Sequence, residues 1–257
     1  MTPKIIWITG GSSGIGFATA KHYLKNNWIV VISSSNSEKL QNAKERLKRL
    51  ISENNYANLH IAKCDITNQE EVKKTILFIE NEIGVIDTAL LNAAAYSPNK
   101  NQEFDIKNYE LLVDVNLKGT LYCINILKDV MKNRGSTIAI VSSPIGYRGW
   151  PTSGAYGMTK AAQLNLAESL FFDFRKIGIT IKVINPGFID TEATRLNSFK
   201  MPFLKSAEFA AEKIYKGLIF KKRFEIYFPF TIVFIVKILR ILPYRIHFYL
   251  WKKMGNF

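Results

Sequence analysis

Cysteine and histidine are scarce in this chain, and no long uncharged hydrophobic run occurs in it. The two cysteines, Cys64 and Cys123, stand too far apart to frame a small disulfide scaffold or a zinc cluster, so a reduced, cytoplasmic setting and no metal site are expected. They read as small buried hydrophobes. The apolar stretch that starts at Ile5 meets glycine at Gly10, too soon for a secretory core and cleavage site, so secretion is not expected. The longest uncharged apolar run, Ile226 to Val236, has eleven residues, against the ~20 that a helix needs to cross a bilayer. Repeats, low-complexity tracts and Gly/Ser linkers are also missing. Nothing therefore divides residues 1–228, which read as a single domain, with residues 229–257 as a C-terminal appendage.

What is present is a hydrophobic, basic chain. Of its 257 residues 47% are hydrophobic, which excludes a disordered polyelectrolyte. The formal charge is +14, and +7 of it falls in residues 221–257, which hold eight basic residues, one acid (Glu225) and ten of the 32 aromatic side chains. A basic chain suggests nucleic acid, but no helix-turn-helix, zinc-finger or aromatic RNA-binding pattern accompanies the charge, so no nucleic-acid partner is expected. Pro229 and Pro243 each open a helix-like stretch that can gather its cations on one side, Lys237 and Arg240 in the first and Arg245 and Lys252 in the second, with Ile, Leu, Phe, Tyr and Trp elsewhere. That composition suits an interfacial helix pair making peripheral contact with the inner face of a membrane. It equally suits a segment that covers a neighbouring subunit or its own active site.

Short apolar runs at 4–9, 28–33, 59–64, 85–91, 137–142, 179–184 and 224–228 are mostly unbroken rather than alternating, as in strands buried on both faces. Helical patterns lie between them at about 15–26, 37–54, 69–83, 105–132, 154–176 and 207–219. Thr67 or Asn68 serves as N-cap of the third, ahead of Glu70 and Glu71. This alternation predicts an α/β fold, a doubly wound parallel sheet of seven strands.

Directly after the first strand comes Thr9-Gly10-Gly11-Ser12-Ser13-Gly14-Ile15-Gly16, opening a helix. Glycines let the backbone approach a pyrophosphate, and a helix N-terminus offers free N–H groups, although a tight turn alone would use the same residues. No Lys-Ser/Thr follows, which excludes a Walker A loop. Ser143 directly follows the fifth apolar run, and Tyr156 and Lys160 are four apart in the next helix, hence on one face. A neighbouring ammonium favours phenolate and so lowers a phenol's pKa from about 10, which makes the pair useful for moving protons.

Thr9 to Gly16, Asn92-Ala93-Ala94-Ala95, Asn116, Ser143 with Tyr156 and Lys160, and Pro186-Gly187-Phe188-Ile189-Asp190-Thr191 are five ordered motifs. Over residues 4 to about 228 the chain resembles the short-chain dehydrogenase/reductase family, whose cofactor loop reads T-G-x-x-x-G-x-G. The resemblance implies a Rossmann fold and a homo-oligomeric NAD(P)-dependent oxidoreductase that moves hydride between nicotinamide and a carbonyl or secondary alcohol. By that likeness the catalytic set is Asn116, Ser143, Tyr156 and Lys160, with Asn116 supporting the lysine and a water chain. The cofactor would meet Gly10, Ser12, Ser13, Gly14, Ile15 and Gly16, then Ser34 and Ser35, Asp65 and Ile66, Asn92, Ala93 and Ala94, and Tyr156 with Lys160. Pro186, Gly187, Ile189 and Thr191 would cradle the nicotinamide. Asp65 equally suits a turn, Asn116 a local backbone bond, and Pro186-Gly187 a loop. The second strand ends in Ser33-Ser34-Ser35-Asn36, without an acid to repel a 2′-phosphate, so NADP(H) is expected over NAD(H). Ala95 stands where the family has glycine, Thr159 where it has serine, and Pro144 follows Ser143. Apolar residues at Phe199, Met201, Phe203 and Leu204 suggest a lid and a small-molecule substrate with an apolar part. The alternative is a nucleotide-sensing or scaffold protein that keeps the fold without turnover.

Overall fold

A computed structural model describes residues 3–97, 104–197, 199–220 and 222–254. Lys221 of the basic tail and Ser198 of the lid stretch lie outside the described residues. In chain order the elements are β1 (Ile5–Thr9), α1 (Gly14–Lys25), β2 (Ile29–Ser34), α2 (Ser37–Leu50), the single turn α3 (Glu53–Tyr56), β3 (Leu59–Lys63), α4 (Gln69–Phe78) and β4 (Ile86–Leu91). Then follow α5 (Ile106–Leu112), α6 (Gly119–Met131), β5 (Ser136–Val141), α7 (Gly154–Lys176), β6 (Ile179–Pro186), α8 (Ala207–Phe220), β7 (Glu225–Phe228), α9 (Phe230–Ile241) and α10 (Tyr244–Met254). All seven strands are parallel, in the order β3-β2-β1-β4-β5-β6-β7. The order reverses between β1 and β4, and the crevice at the strands' carboxyl ends there is where open α/β sheets bind ligands.

The unbroken apolar runs are explained by burial on both faces. On β1, Ile5 and Trp7 face a core shared with α4, α6 and α7, where Ile76, Leu127 and Leu164 lie. Ile6 and Ile8 face the opposite core, with Tyr23 and Leu24 of α1, Leu40 of α2 and Ile214 of α8. The first of these cores also takes Ile232, Val233 and Val236, so α9 packs one side against the sheet's own core.

Three elements depart from the sequence pattern. The stretch expected as one helix over 105–132 contains a π-helical segment, Val113–Lys118, between α5 and α6. Another, Ile79–Ile83, follows α4. The 37–54 pattern stops at Leu50 because Ile51 is extended, and α3 starts afresh. Asn68 is the N-cap of α4, its Oδ1 accepting from Glu70 N at 3.0 Å and Glu71 N at 3.3 Å.

Candidate active site

The glycine loop is shaped by backbone geometry before any ligand is considered. Gly10 adopts φ +63°, and a Cβ there would lie 2.8 Å from Ala93 Cα at the end of β4. Thr9 Oγ1 accepts from Asn92 N at 2.9 Å and Ala93 N at 3.0 Å, while Asn92 Nδ2 donates to the Thr9 and Gly10 carbonyls, each at 3.1 Å. The loops after β1 and β4 are thus tied together, leaving the α1 terminus open. Ser13 caps α1 without a side-chain hydrogen bond, and no acid occupies its first turn. Free N–H groups and a positive dipole end therefore face the crevice, which suits a pyrophosphate.

A cleft of about 530 Å³ runs from this loop across the strand ends. Of the residues expected to hold the cofactor, Gly10, Ser12, Ser13, Gly14, Ile15, Ser34, Ser35, Asp65, Ile66, Asn92, Ala93, Ala94, Pro186, Gly187, Ile189 and Thr191 all line it. Gly16 does not. It sits behind the loop, where a Cβ would meet the Gly10 carbonyl oxygen at 2.4 Å, so its smallness lets α1 close on the loop. Asp65 is a turn residue as well as a cleft residue, since its Oδ1 accepts from Thr67 N at 2.9 Å and Thr67 Oγ1 at 2.8 Å. Ser12 Oγ donates to Ser34 Oγ at 3.3 Å, joining the glycine loop to the end of β2.

Ser143, Tyr156 and Lys160 open into the same cleft. Ser143 caps a short 3-10 turn, its Oγ accepting from Ile145 N at 3.4 Å, and Pro144 suits that turn's first position. Ser142 Oγ donates to the Lys160 carbonyl at 2.8 Å, pinning α7 against β5. Asn116 lies in the π-helical segment, fully buried and outside the cleft lining. Its Oδ1 accepts from Ala95 N at 2.7 Å, and its Nδ2 donates to the Ala95 carbonyl at 3.0 Å and to Thr159 Oγ1 at 3.1 Å. The family departures are absorbed here. Ala95 is not among the described residues with positive φ, so no glycine is needed, and Thr159 supplies the hydroxyl a serine would.

Burial dominates the electrostatics. Lys160 is 1% exposed, and desolvation pushes its pKa down to about 7. Its ammonium donates to the Val141 carbonyl and to Gln163 Oε1, both at 2.9 Å, and lies 5.5 Å from the Tyr156 ring centroid. Tyr156 is half-buried, and the surrounding protein, with Tyr96 adding to it, pushes its phenol above the ordinary value. The lowering expected from the lysine is therefore not produced by the protein alone. Desolvation opposes charge on both groups.

Several site residues have no motif in the sequence. Lys39, in the first turn of α2, lines the cleft beside Ser34, Ser35 and Asn36. Tyr96 meets Tyr156 edge-on at 4.8 Å and hydrogen-bonds Asn197. The outer wall is apolar: Trp150, Phe188 and Phe199 line it with Ile232 and Val236 from α9. Among the described residues, no three His, Cys, Asp or Glu side chains cluster as metal ligands would.

A helix N-terminus at the switch point of a parallel sheet, sharing one cleft with a serine, a tyrosine and a lysine, defines a dinucleotide-binding α/β enzyme. The family model described as short chain dehydrogenase matches residues 4–200. An uncharacterized oxidoreductase of Staphylococcus aureus (strain MW2) is 30% identical over 195 residues, 76% of this chain and 81% of the relative. One of Staphylococcus saprophyticus is 30% identical over 189 residues, 73% and 79% respectively. The solved structure of ElxO with NADP bound is 27% identical with a TM-score of 0.78, covering 88% of this chain and 98% of that one. A short chain dehydrogenase/reductase from Burkholderia phymatum in complex with NAD, 19% identical with a TM-score of 0.80 over 91% and 92%, shares the fold. The chain belongs to the short-chain dehydrogenase/reductase family, and it is an oxidoreductase of that family using a nicotinamide dinucleotide.

Proposed function

We propose that this enzyme works with NADP(H) in preference to NAD(H), on a carbonyl or secondary alcohol carrying an apolar or lipid-like part. The observation that carries this reading is one cleft whose inner end is the glycine-lined α1 terminus, whose middle holds Ser143, Tyr156 and Lys160, and whose outer wall is Trp150, Phe188, Phe199, Ile232 and Val236. The bound nucleotide supplies or takes the hydride. Ser143 steadies the substrate oxygen, Tyr156 gives or takes its proton, and Lys160 brings positive charge beside the phenol and holds the nicotinamide ribose. Lys39, Ser34 and Ser35 offer a cation and two hydroxyls to a 2′-phosphate, and no acid at the end of β2 repels one. ElxO, whose solved structure has NADP bound, is similar over most of the chain. Replacing Tyr156 by Phe should lower kcat about 10²–10⁴-fold, the usual contribution of a proton-transfer group, while NADPH still binds in a fluorescence titration. A variant as active as the native enzyme would overturn the assignment.

The same proposal places the protein at a membrane surface on the cytoplasmic side. While α9 buries Ile232, Val233 and Val236, it leaves Phe230, Phe234, Ile235, Ile238 and Ile241 exposed. α10 exposes Tyr244, Phe248 and Tyr249 together with Arg245, Lys252 and Lys253. An apolar outer face flanked by cations fits the boundary of an anionic bilayer, and an apolar substrate would then reach the cleft from the lipid side. No helix among the described residues is long and apolar enough to cross a membrane. A homo-oligomer, joined through exposed apolar side chains such as Leu121 and Phe172 on α6 and α7, belongs to the same reading.

A further inference from the structure

Behind the cleft lies a polar chain that the reaction as described does not use. Gln163, one turn beyond Lys160 on α7, is 1% exposed. Its Oε1 accepts from the Lys160 ammonium at 2.9 Å, and its Nε2 donates to the Asn116 carbonyl at 2.7 Å and to Thr120 Oγ1 at 2.9 Å. Thr120 Oγ1 also donates to that Asn116 carbonyl, at 2.7 Å. Every polar atom of the Gln163 amide thus has a partner, and the Asn116 carbonyl oxygen accepts from two side chains. The space between the lysine and Asn116, which the family likeness assigns to water, is spanned by an amide.

We propose that Gln163 is a positioning residue for the reaction: its side chain fixes the Lys160 ammonium beside Tyr156 and anchors it to the π-helical segment through the Asn116 carbonyl. The inference rests on Tyr156 being the proton donor. An amide oxygen stabilises the charged form of a lysine by accepting from it, and an amide N–H held by two acceptors does not pass protons on as a water chain would. The bridge therefore sets where the ammonium sits and how readily it stays charged, and closes the route behind it to proton traffic.

Among the described residues, few groups face the ammonium. α7 presents Tyr156 and Gln163, β5 presents the Val141 carbonyl, and the π-helical segment and α6 contribute the uncharged Asn116 and Thr120 through the bridge. Burial lowers the lysine towards neutrality. The signs for substitutions follow. Gln163→Leu removes an acceptor from the charged form and should move the Lys160 midpoint further down. Gln163→Glu, nearly isosteric, places a carboxylate there and should move it up.

The test is an NMR titration of the full-length protein carrying ¹³C,¹⁵N-labelled lysine, with the Lys160 signal assigned by its loss in Lys160→Met. Alongside it runs the pH profile of kcat/KM for the most active carbonyl found. The expected result is a midpoint shift in opposite directions in the two variants, with the alkaline limb of kcat/KM following. Gln163→Glu, which keeps the oxygen acceptor and the side-chain shape, guards against a leucine variant that folds poorly. Unmoved midpoints in both variants would overturn the bridge, as would midpoints that move while the kcat/KM limb stays in place. Opposite midpoint shifts with no turnover of any carbonyl would instead sink the proposed reaction and support the lysine–glutamine link.

Discussion

At the scale of single residues, charge near the ribose decides which nucleotide fits. The end of β2 carries serines and Asn36, and read alone it is neutral. The cation comes from one turn later. Asn36 caps α2 by accepting from Lys39 N at 2.8 Å, which starts the helix there, and helical side chains lean towards the N-terminus. Lys39 therefore reaches back to the cleft, where its ammonium pairs with Glu192 at 3.6 Å while 61% exposed. A pair so exposed contributes little and can yield to a phosphate. Lys39→Ala should weaken NADPH binding roughly tenfold, a modest figure for a solvent-screened charge-assisted contact, and leave NADH binding unchanged, as read by fluorescence titration of both nucleotides. Equal loss for the two, or none, would remove Lys39 from the proposed site for a 2′-phosphate. The strand-end pattern did not show this residue because the relevant side chain belongs to a helix turn, and its direction is set by a cap.

At the scale of elements, the placement of α9 depends on one missing methyl group. Gly187 donates its N–H to the Phe228 carbonyl at 2.7 Å, which holds the loop after β6 against the end of β7. A Cβ there would lie 2.7 Å from Ile232 Cγ2 and 3.2 Å from Pro229 Cδ, so the start of α9 would have to move. Gly187→Ala should cost about 1–3 kcal/mol, the range for overpacking a well-filled core, and so lower Tm by a few degrees. In an Ile232→Ala background the same substitution should cost less, because the side chain it strikes is gone. Equal penalties in both backgrounds would show that the glycine is needed by the loop and not by α9. Pro186-Gly187 was legible as a loop or nicotinamide element, but its second duty required knowing that residues 45 positions away in sequence return to it. The strands were readable because burial on both faces leaves continuous apolar runs, as in Ile138, Ala139 and Ile140. The π-helical segment was not, since Val113–Lys118 falls inside a stretch, 105–132, that reads as one helix, and the Ala95 backbone that Asn116 bonds there lies 21 residues away in sequence.

At the scale of the whole molecule, the question is what the basic, aromatic tail does. Its composition suggested cations gathered on one side of each helix, yet Lys237 turns inward onto Glu225 and stands over the rings of Tyr147 and Tyr227, at 5.5 and 4.5 Å. The cause is the Glu225 carboxylate at the start of β7, which also bonds Tyr147 and Asn185 and draws the ammonium in. Arg148 reaches across to donate to the Arg240 carbonyl at 3.1 Å and the Leu242 carbonyl at 3.2 Å, a cation at the C-terminal end of α9. With Lys237 committed inward, the outer face of α9 shows Phe230, Phe234, Ile238 and Ile241, three or four residues apart, while α10 carries the exposed cations Arg245, Lys252 and Lys253. Removing α9 altogether would also unroof the cleft, because Ile232 and Val236 line it. The outward positions test the membrane reading cleanly. Each large apolar side chain moved from water into lipid contributes about 1.5–3 kcal/mol, so Phe234→Ser with Ile238→Ser should lower the fraction sedimenting with phosphatidylserine-containing vesicles at least tenfold. Neither side chain lines the cleft, so kcat/KM on a water-soluble carbonyl should stay within about twofold. Adding salt should weaken the native protein's binding through the α10 cations. Vesicle binding that survives the double substitution, or a native protein that never sediments, would defeat the membrane assignment and leave the apolar stripe to a second copy of the chain.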